Sequence, residues 1–176
     1  NSGDQNFKSM LENKYSNVEC FLTGENLGYA KGNNFGISKI NSQYALILNP
    51  DAAIEGNTLN YFLNLASKVK DFSIIGPAKQ NEFSDIENFK EEDEIFEVDK
   101  LKGFAMFFNI DQFKDIGFFD ENFFIYLEEI DLCKRLRAKR KKIYLSKNIK
   151  IKHLGGSSHN ETINSTDDFY KFAEKI

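Results

Sequence analysis

Residues 117–132, GFFDENFFIYLEEIDL, set five carboxylates among nine large apolar side chains. Such a stretch must bring Phe118, Phe119, Phe123, Phe124, Ile125, Tyr126 and Leu127 to a core while keeping Asp120, Glu121, Glu128, Glu129 and Asp131 useful. A solvated helix face has no need of so many aromatic groups, so the acids are expected to line a cleft. The stretch runs into a helix predicted over 128–139, with Ile130, Leu132, Cys133 and Leu136 as its apolar stripe and Lys134, Arg135, Arg137 and Lys139 opposite. Asp131 and Arg135 stand i, i+4, a favourable pair worth a few tenths of a kcal/mol.

The chain has 176 residues, 41% of them apolar, enough for one domain with a real core. A net charge of -4 and a pI near 5.3 exclude a general nucleic-acid binder. Cys20 and Cys133 lie far apart in apolar patterns, which argues against a disulfide framework and fits a reducing cytoplasm. No apolar run reaches the roughly 18 to 20 residues of a membrane span, and NSGDQNFKSM lacks the apolar region of a signal peptide. The chain is therefore expected to be soluble, touching a membrane at most peripherally.

Upstream, Phe7, Met10, Leu11 and Tyr15 recur at helical spacing over 4–15, with Asp4 placed as a cap. Residues 18–22 read as a strand ended by Thr23 and Gly24. Gly28, Gly32 and Gly36 then fall every fourth residue, predicting a helix over 29–38 whose glycine face admits a neighbour or ligand closely. YALIL at 44–48 has the continuous apolar character of a strand covered on both faces in a parallel sheet. Asn49-Pro50 ends it and presents Asp51 just past the strand's C-terminal end, where open α/β sheets bind ligands.

Leu59, Phe62, Leu63, Ala66 and Val69 follow helical spacing, and 72–75 read as a buried strand closed by Gly76-Pro77. Residues 81–99 form an acidic surface excursion, and GFAMFFN at 103–109 returns to the core before a short helical link at 111–116. Residues 143–145 and 149–153 are strand-like, with Ile149, Ile151 and His153 on one face. A turn at Gly155-Gly156 and a short helix over 167–175 finish the chain. Strands alternating with helices are the α/β pattern.

At a helix N-terminus the dipole favours ionised Glu128 and Glu129, ready as proton acceptors or ligands, although simple capping explains such a pair as well. Asp51 is also ordinary turn chemistry, and an isolated histidine such as His153 is commonly half-buried without further role. Together they are the parts of a divalent-metal and general-base site.

The succession NLGYAKGNNFGI, YALILNPDA, GFAMFFN, GFFDENFFIYLEEIDLCKRL and KIKHLGGSS resembles the family 2 glycosyltransferases of the GT-A fold, in particular the rhamnosyltransferase-like branch of bacterial surface-polysaccharide enzymes. The likeness covers residues 1–158. It implies a single α/β domain over 1–176 with a mostly parallel central sheet flanked by helices, and an acceptor half at about 100–160. It implies inverting transfer of rhamnose or another hexose from a nucleoside-diphosphate donor to a glycan or lipid-linked saccharide, with no nucleic-acid partner.

By the same resemblance Glu129, where the family usually has Asp, is the base, with Glu128 beside it. Asp51 and His153 would hold Mg2+ or Mn2+, and Asn26, Gly28, Lys31, Asn34 and Asp51 would border the donor. Asp120 and Tyr126 would contact the acceptor. An inverting displacement needs one carboxylate for the acceptor's proton and one cation for the departing diphosphate. Retention would call for a second carboxylate beneath the anomeric carbon. Lys134, Arg135, Arg137, Lys139, Arg140, Lys141 and Lys142 would suit the inner face of a membrane carrying a lipid-linked acceptor. A solvated helix face with its following turn is the simpler account of them.

Family members open with a strand, a helix and a second strand that together hold the donor's base and ribose. Asn1-Ser2-Gly3-Asp4 resembles the turn after that second strand, so the chain is expected to be N-terminally truncated with an incomplete donor half. Three readings follow: residues left out of this chain, a separate N-terminal fragment as partner, or a non-catalytic, degenerate sugar-binding remnant.

Overall fold

The computed structural model describes residues 2–78 and 93–153. Helix α1, Gln5–Lys14, starts at Asp4, whose carboxylate accepts from the Phe7 amide at 2.9 Å. Then come α2 (Gly28–Ile37), β1 (Tyr44–Leu48), β2 (Ala52–Ile54) and α3 (Thr58–Lys68). Next are β3 (Phe72–Pro77), β4 (Ile95–Glu97), β5 (Ala105–Asn109) and a 3-10 turn at Ile110–Phe113. Helix α4 (Glu128–Ala138), β6 (Lys142–Ser146) and β7 (Ile151–His153) follow.

The main sheet has five strands in the order β1-β5-β3-β6-β4. β3 and β6 pair in parallel, while β5 runs antiparallel to both β1 and β3, and β4 antiparallel to β6. β1, β3 and β6 therefore share one direction, and the sheet is mixed because GFAMFFN enters as a reversed strand between two of them. Alternation along the strands divides the core in two. Ile74, Met106, Phe108, Ile143 and Leu145 pack with Ala30 and Ile37 of α2 and Leu132, Cys133 and Leu136 of α4. Phe72, Ile75, Phe107 and Tyr144 join Phe62, Leu65 and Ala66 of α3 in the second cluster. Helices thus cover both faces, as an α/β domain requires.

Six expectations change. Phe124 and Ile125, expected in the core, are 57% and 42% exposed, and residues 95–97, expected in a surface excursion, form β4 of the main sheet. Residues 18–22 form no strand: Glu12 Oε1 accepts from the Cys20 amide at 2.8 Å and the Lys8 ammonium donates to the Cys20 carbonyl, so at Cys20 the side chains of α1 take the place of a sheet partner. β1 lies at a sheet edge, paired among the described residues only with β5, and apart from Ile47 its residues are half-buried. Helix α3 turns Phe62, Leu65 and Ala66 inward but leaves Leu59 and Leu63 each 53% exposed. Gly76 and Pro77 prolong β3 instead of closing it, which Pro77 permits at the strand's last position. Residues 79–92, the Gly155-Gly156 turn and the helix expected over 167–175 lie outside the described residues.

A two-stranded sheet stands beside the main one, with β2 antiparallel to β7 and Ala52 opposite His153.

Candidate active site

Tyr126 and Leu127, immediately before α4, both adopt left-handed backbone, with φ of 71° and 76°. Such conformations cost non-glycine residues on the order of 1–3 kcal/mol each and persist only where packing imposes them. Here the reversal aims the first turn of α4 inward, leaving Glu128 4% and Glu129 1% exposed. Neither caps the helix, because Leu127 holds the cap position without a side-chain bond. Arg135 ties this turn to the preceding loop, donating to Asp131 at 2.7 Å and to the carbonyls of Ile116 and Phe118 at 3.2 and 2.6 Å.

Burial overrides the helix dipole at Glu128. Loss of water, reinforced by the neighbouring Glu129 carboxylate, pushes its carboxyl up to about 7, and its Oε2 has no hydrogen-bond partner among the described residues. A dipole is worth less than about 1 kcal/mol at most surface sites, under one pKa unit, so it loses to desolvation of this size. The expectation of a permanently ionised pair therefore fails at Glu128, which takes up and releases a proton near neutrality.

Three residues that sequence reasoning passed over stand beside the acid pair or beside His153. The Tyr29 hydroxyl donates to the Gly103 carbonyl, and its ring meets Phe119 edge-on at 5.6 Å. Burial and then both glutamates hold the Tyr29 phenol well above its ordinary pKa. Burial, followed by Glu128, also raises Tyr126. A methyl on Gly103 would lie 3.5 Å from the Tyr29 hydroxyl and 3.7 Å from Glu129 Cδ, so this glycine lies against the acid pair. Phe104 is the third, stacked on the His153 ring at 4.6 Å with 6° between the planes.

Past β1, Asp51 reaches His153 across the β2–β7 ladder, with Oδ1 and Nε2 3.2 Å apart. The Asn49 amide donates to the Phe104 carbonyl at 2.9 Å, binding the Asn-Pro-Asp turn to the head of β5. Gly103 and Phe104 thus join the acids on one side to the Asp51–His153 pair on the other. An octahedral ion with bonds of about 2.1 Å places adjacent donors about 3 Å apart, so a carboxylate and an imidazole at 3.2 Å fit one divalent cation as neighbouring ligands. No cluster of three candidate ligands occurs among the described residues.

The residues expected around the donor are placed differently from one another. Asn26 Oδ1 accepts from the Gly28 amide at 3.0 Å. Gly28, at φ 76°, leaves only 2.2 Å between a would-be Cβ and the Phe124 carbonyl, and the Tyr29 amide donates to that carbonyl at 2.7 Å. Asn34 both donates to and accepts from the Phe119 backbone, at 2.8 and 3.1 Å. Asn26, Gly28 and Asn34 therefore order α2 and the loop ahead of the acids, whereas Lys31 projects from α2 into solvent. Asp120 accepts from the amide and side chain of Asn122, fixing the turn. The basic cluster is largely spoken for: besides Arg135, Arg137 pairs with Asp99 at 2.7 Å and Lys142 with Asp71 at 3.1 Å, and Lys141 donates to Gln112. No helix among the described residues is long and apolar enough to cross a membrane.

Comparison with known proteins bears on the fold and the family. The low-salt glycan biosynthesis hexosyltransferase Agl10 of Haloferax volcanii is 29% identical over 86% of the chain, which spans 55% of that relative's length. The crystal structure of GalNAc-T7 with UDP, GalNAc and Mn2+ shares the fold at a TM-score of 0.71 and 11% identity, over 97% of this chain and 39% of that one. The profile of "Glycosyl transferase family 2" matches residues 1–145. A match over most of the chain, carried on the α/β frame that holds these acids, shows that the chain belongs to glycosyl transferase family 2.

Proposed function

We propose that this chain carries the acceptor-activating part of an inverting, metal-dependent hexosyltransferase. The donor is a nucleoside-diphosphate sugar, with rhamnose the favoured sugar, and the acceptor is a surface glycan or its lipid-linked precursor. The observation that supports the reading most is a buried pair of glutamates joined through Gly103 and Phe104 to Asp51 and His153. Glu129 accepts the proton of the attacking hydroxyl, and Glu128, which changes charge near neutrality, orients the acceptor beside it. Asp51 and His153 hold Mg2+ or Mn2+, which when bound supplies positive charge to the leaving diphosphate. Tyr126 and Asp120 shape the acceptor side, and Asn26, Gly28 and Asn34 border the donor through the backbone they order.

The curated relative is a hexosyltransferase, and the structural neighbour was solved with a uridine nucleotide and Mn2+. Both support a nucleotide-sugar donor. Because the chain spans about half of that relative, the test belongs in the complete natural protein. Glu129→Gln should abolish sugar transfer there while donor binding measured by calorimetry with Mn2+ is kept. Near-normal turnover of that variant would overturn the assignment.

A further inference from the structure

We infer that Phe104 is a positioning residue that sets the plane of the His153 ring and so controls how this chain takes a divalent cation. The inference rests on the reading of Asp51 and His153 as metal ligands and adds to it a residue with no donor atom in its side chain. Phe104 is 5% exposed, and its ring lies parallel to the imidazole at 4.6 Å. The imidazole stands at the end of a three-residue strand, Ile151–His153, which pairs only with β2 among the described residues. A flat, buried neighbour restricts the ring's rotation to one plane, in which Nε2 faces Asp51 Oδ1 at 3.2 Å. Phe104 is itself held in place, since its carbonyl accepts from Asn49, two residues before Asp51, and Gly103 is anchored by the Tyr29 hydroxyl. Groups that orient a ligand in this way typically change metal affinity by about 10–100-fold when altered.

A merely space-filling phenylalanine would be replaceable by leucine, which is apolar and buried equally well but has no plane. Phe104 also lines a cavity of about 330 Å3 beside Pro77, Ala78 and Ile149. The test compares Mn2+ binding, read from the paramagnetic resonance signal of free Mn2+, in the unsubstituted chain, Phe104→Leu and Phe104→Tyr, with circular dichroism verifying the fold. Phe104→Leu should weaken binding about tenfold or more, and Phe104→Tyr should restore it to within about twofold. Without metal, proton NMR should show the ring-current shift of the His153 ring protons lost in the leucine variant and kept in the tyrosine one. Equal Mn2+ affinity in folded Phe104→Leu overturns this inference alone. Failure of the unsubstituted chain to bind Mn2+ overturns the metal reading and this inference together.

Discussion

Glu128 shows how a single side chain can be set against the stability of its own fold. Its carboxyl sits at about 7 when folded against 4.5 as the ordinary value, so between those limits the folded state binds the extra proton. Unfolding free energy must then fall as pH rises through that window, by up to roughly 3 kcal/mol at about 1.4 kcal/mol per unit. The cost is complete above pH 7 and absent below about 4.5. Glu128→Gln should raise the melting temperature at pH 8, leave it little changed at pH 4.5, and lower transfer activity; calorimetry across that range checks it. Gly28 is the opposite case, a residue tolerating no change. Gly28→Ala adds left-handed strain and a Cβ 2.2 Å from the Phe124 carbonyl, and should cost about 2 kcal/mol or more by urea denaturation, with activity falling as the loop before the acids shifts. The place of Glu128 and Glu129 at the head of α4 was legible in the sequence from the helical spacing that follows them. Tyr29, Gly103 and Phe104 were not, because their parts arise from contacts such as Tyr29 to Gly103, 74 residues apart, which periodicity cannot register.

At the scale of elements, β1, β3, β5 and β6 and the four helices were readable from apolar runs and helical spacing, with ends displaced by a residue or two. What misled was burial. The apolar residues at 18–22 resembled a strand, but strand formation depends on a partner edge, and α1 satisfies that backbone instead. Of the expected α3 stripe Leu59, Phe62, Leu63, Ala66 and Val69, the packing buries Phe62 and Ala66, adds Leu65, and leaves Leu59 and Leu63 outside. The choice can be measured. Phe62→Ala should cost about 3–5 kcal/mol by emptying a stacked aromatic cluster with Phe107, whereas Leu63→Ala should change stability by less than about 0.5 kcal/mol. Comparable losses from the two in chemical denaturation would mean that α3 is rotated from the orientation described.

Across the whole molecule, the α/β class was plain in the sequence, whereas the reversed β5 was not, since strand direction depends on long-range pairing. That reversal brings the head of β5 up to the end of β1, where Gly103 meets the acids and Phe104 meets His153. The proposed metal site makes a prediction at this scale. Mn2+ should raise the melting temperature of the unsubstituted chain in a concentration-dependent manner, and Asp51→Asn should remove most of that rise; a scanning fluorescence titration reads both.

The β2–β7 ladder gives that response a further meaning. Three residues on each side are little to hold a strand, and Asp51 and His153 come from the first third of the chain and from the last strand described. An ion gripping both would act as a clasp on a loop of roughly a hundred residues, making attachment of β7 and capture of the ion two readings of one equilibrium. Hydrogen exchange at residues 151–153 would then slow in step with metal occupancy, and any change that loosens β7 would be felt first as a loss of metal.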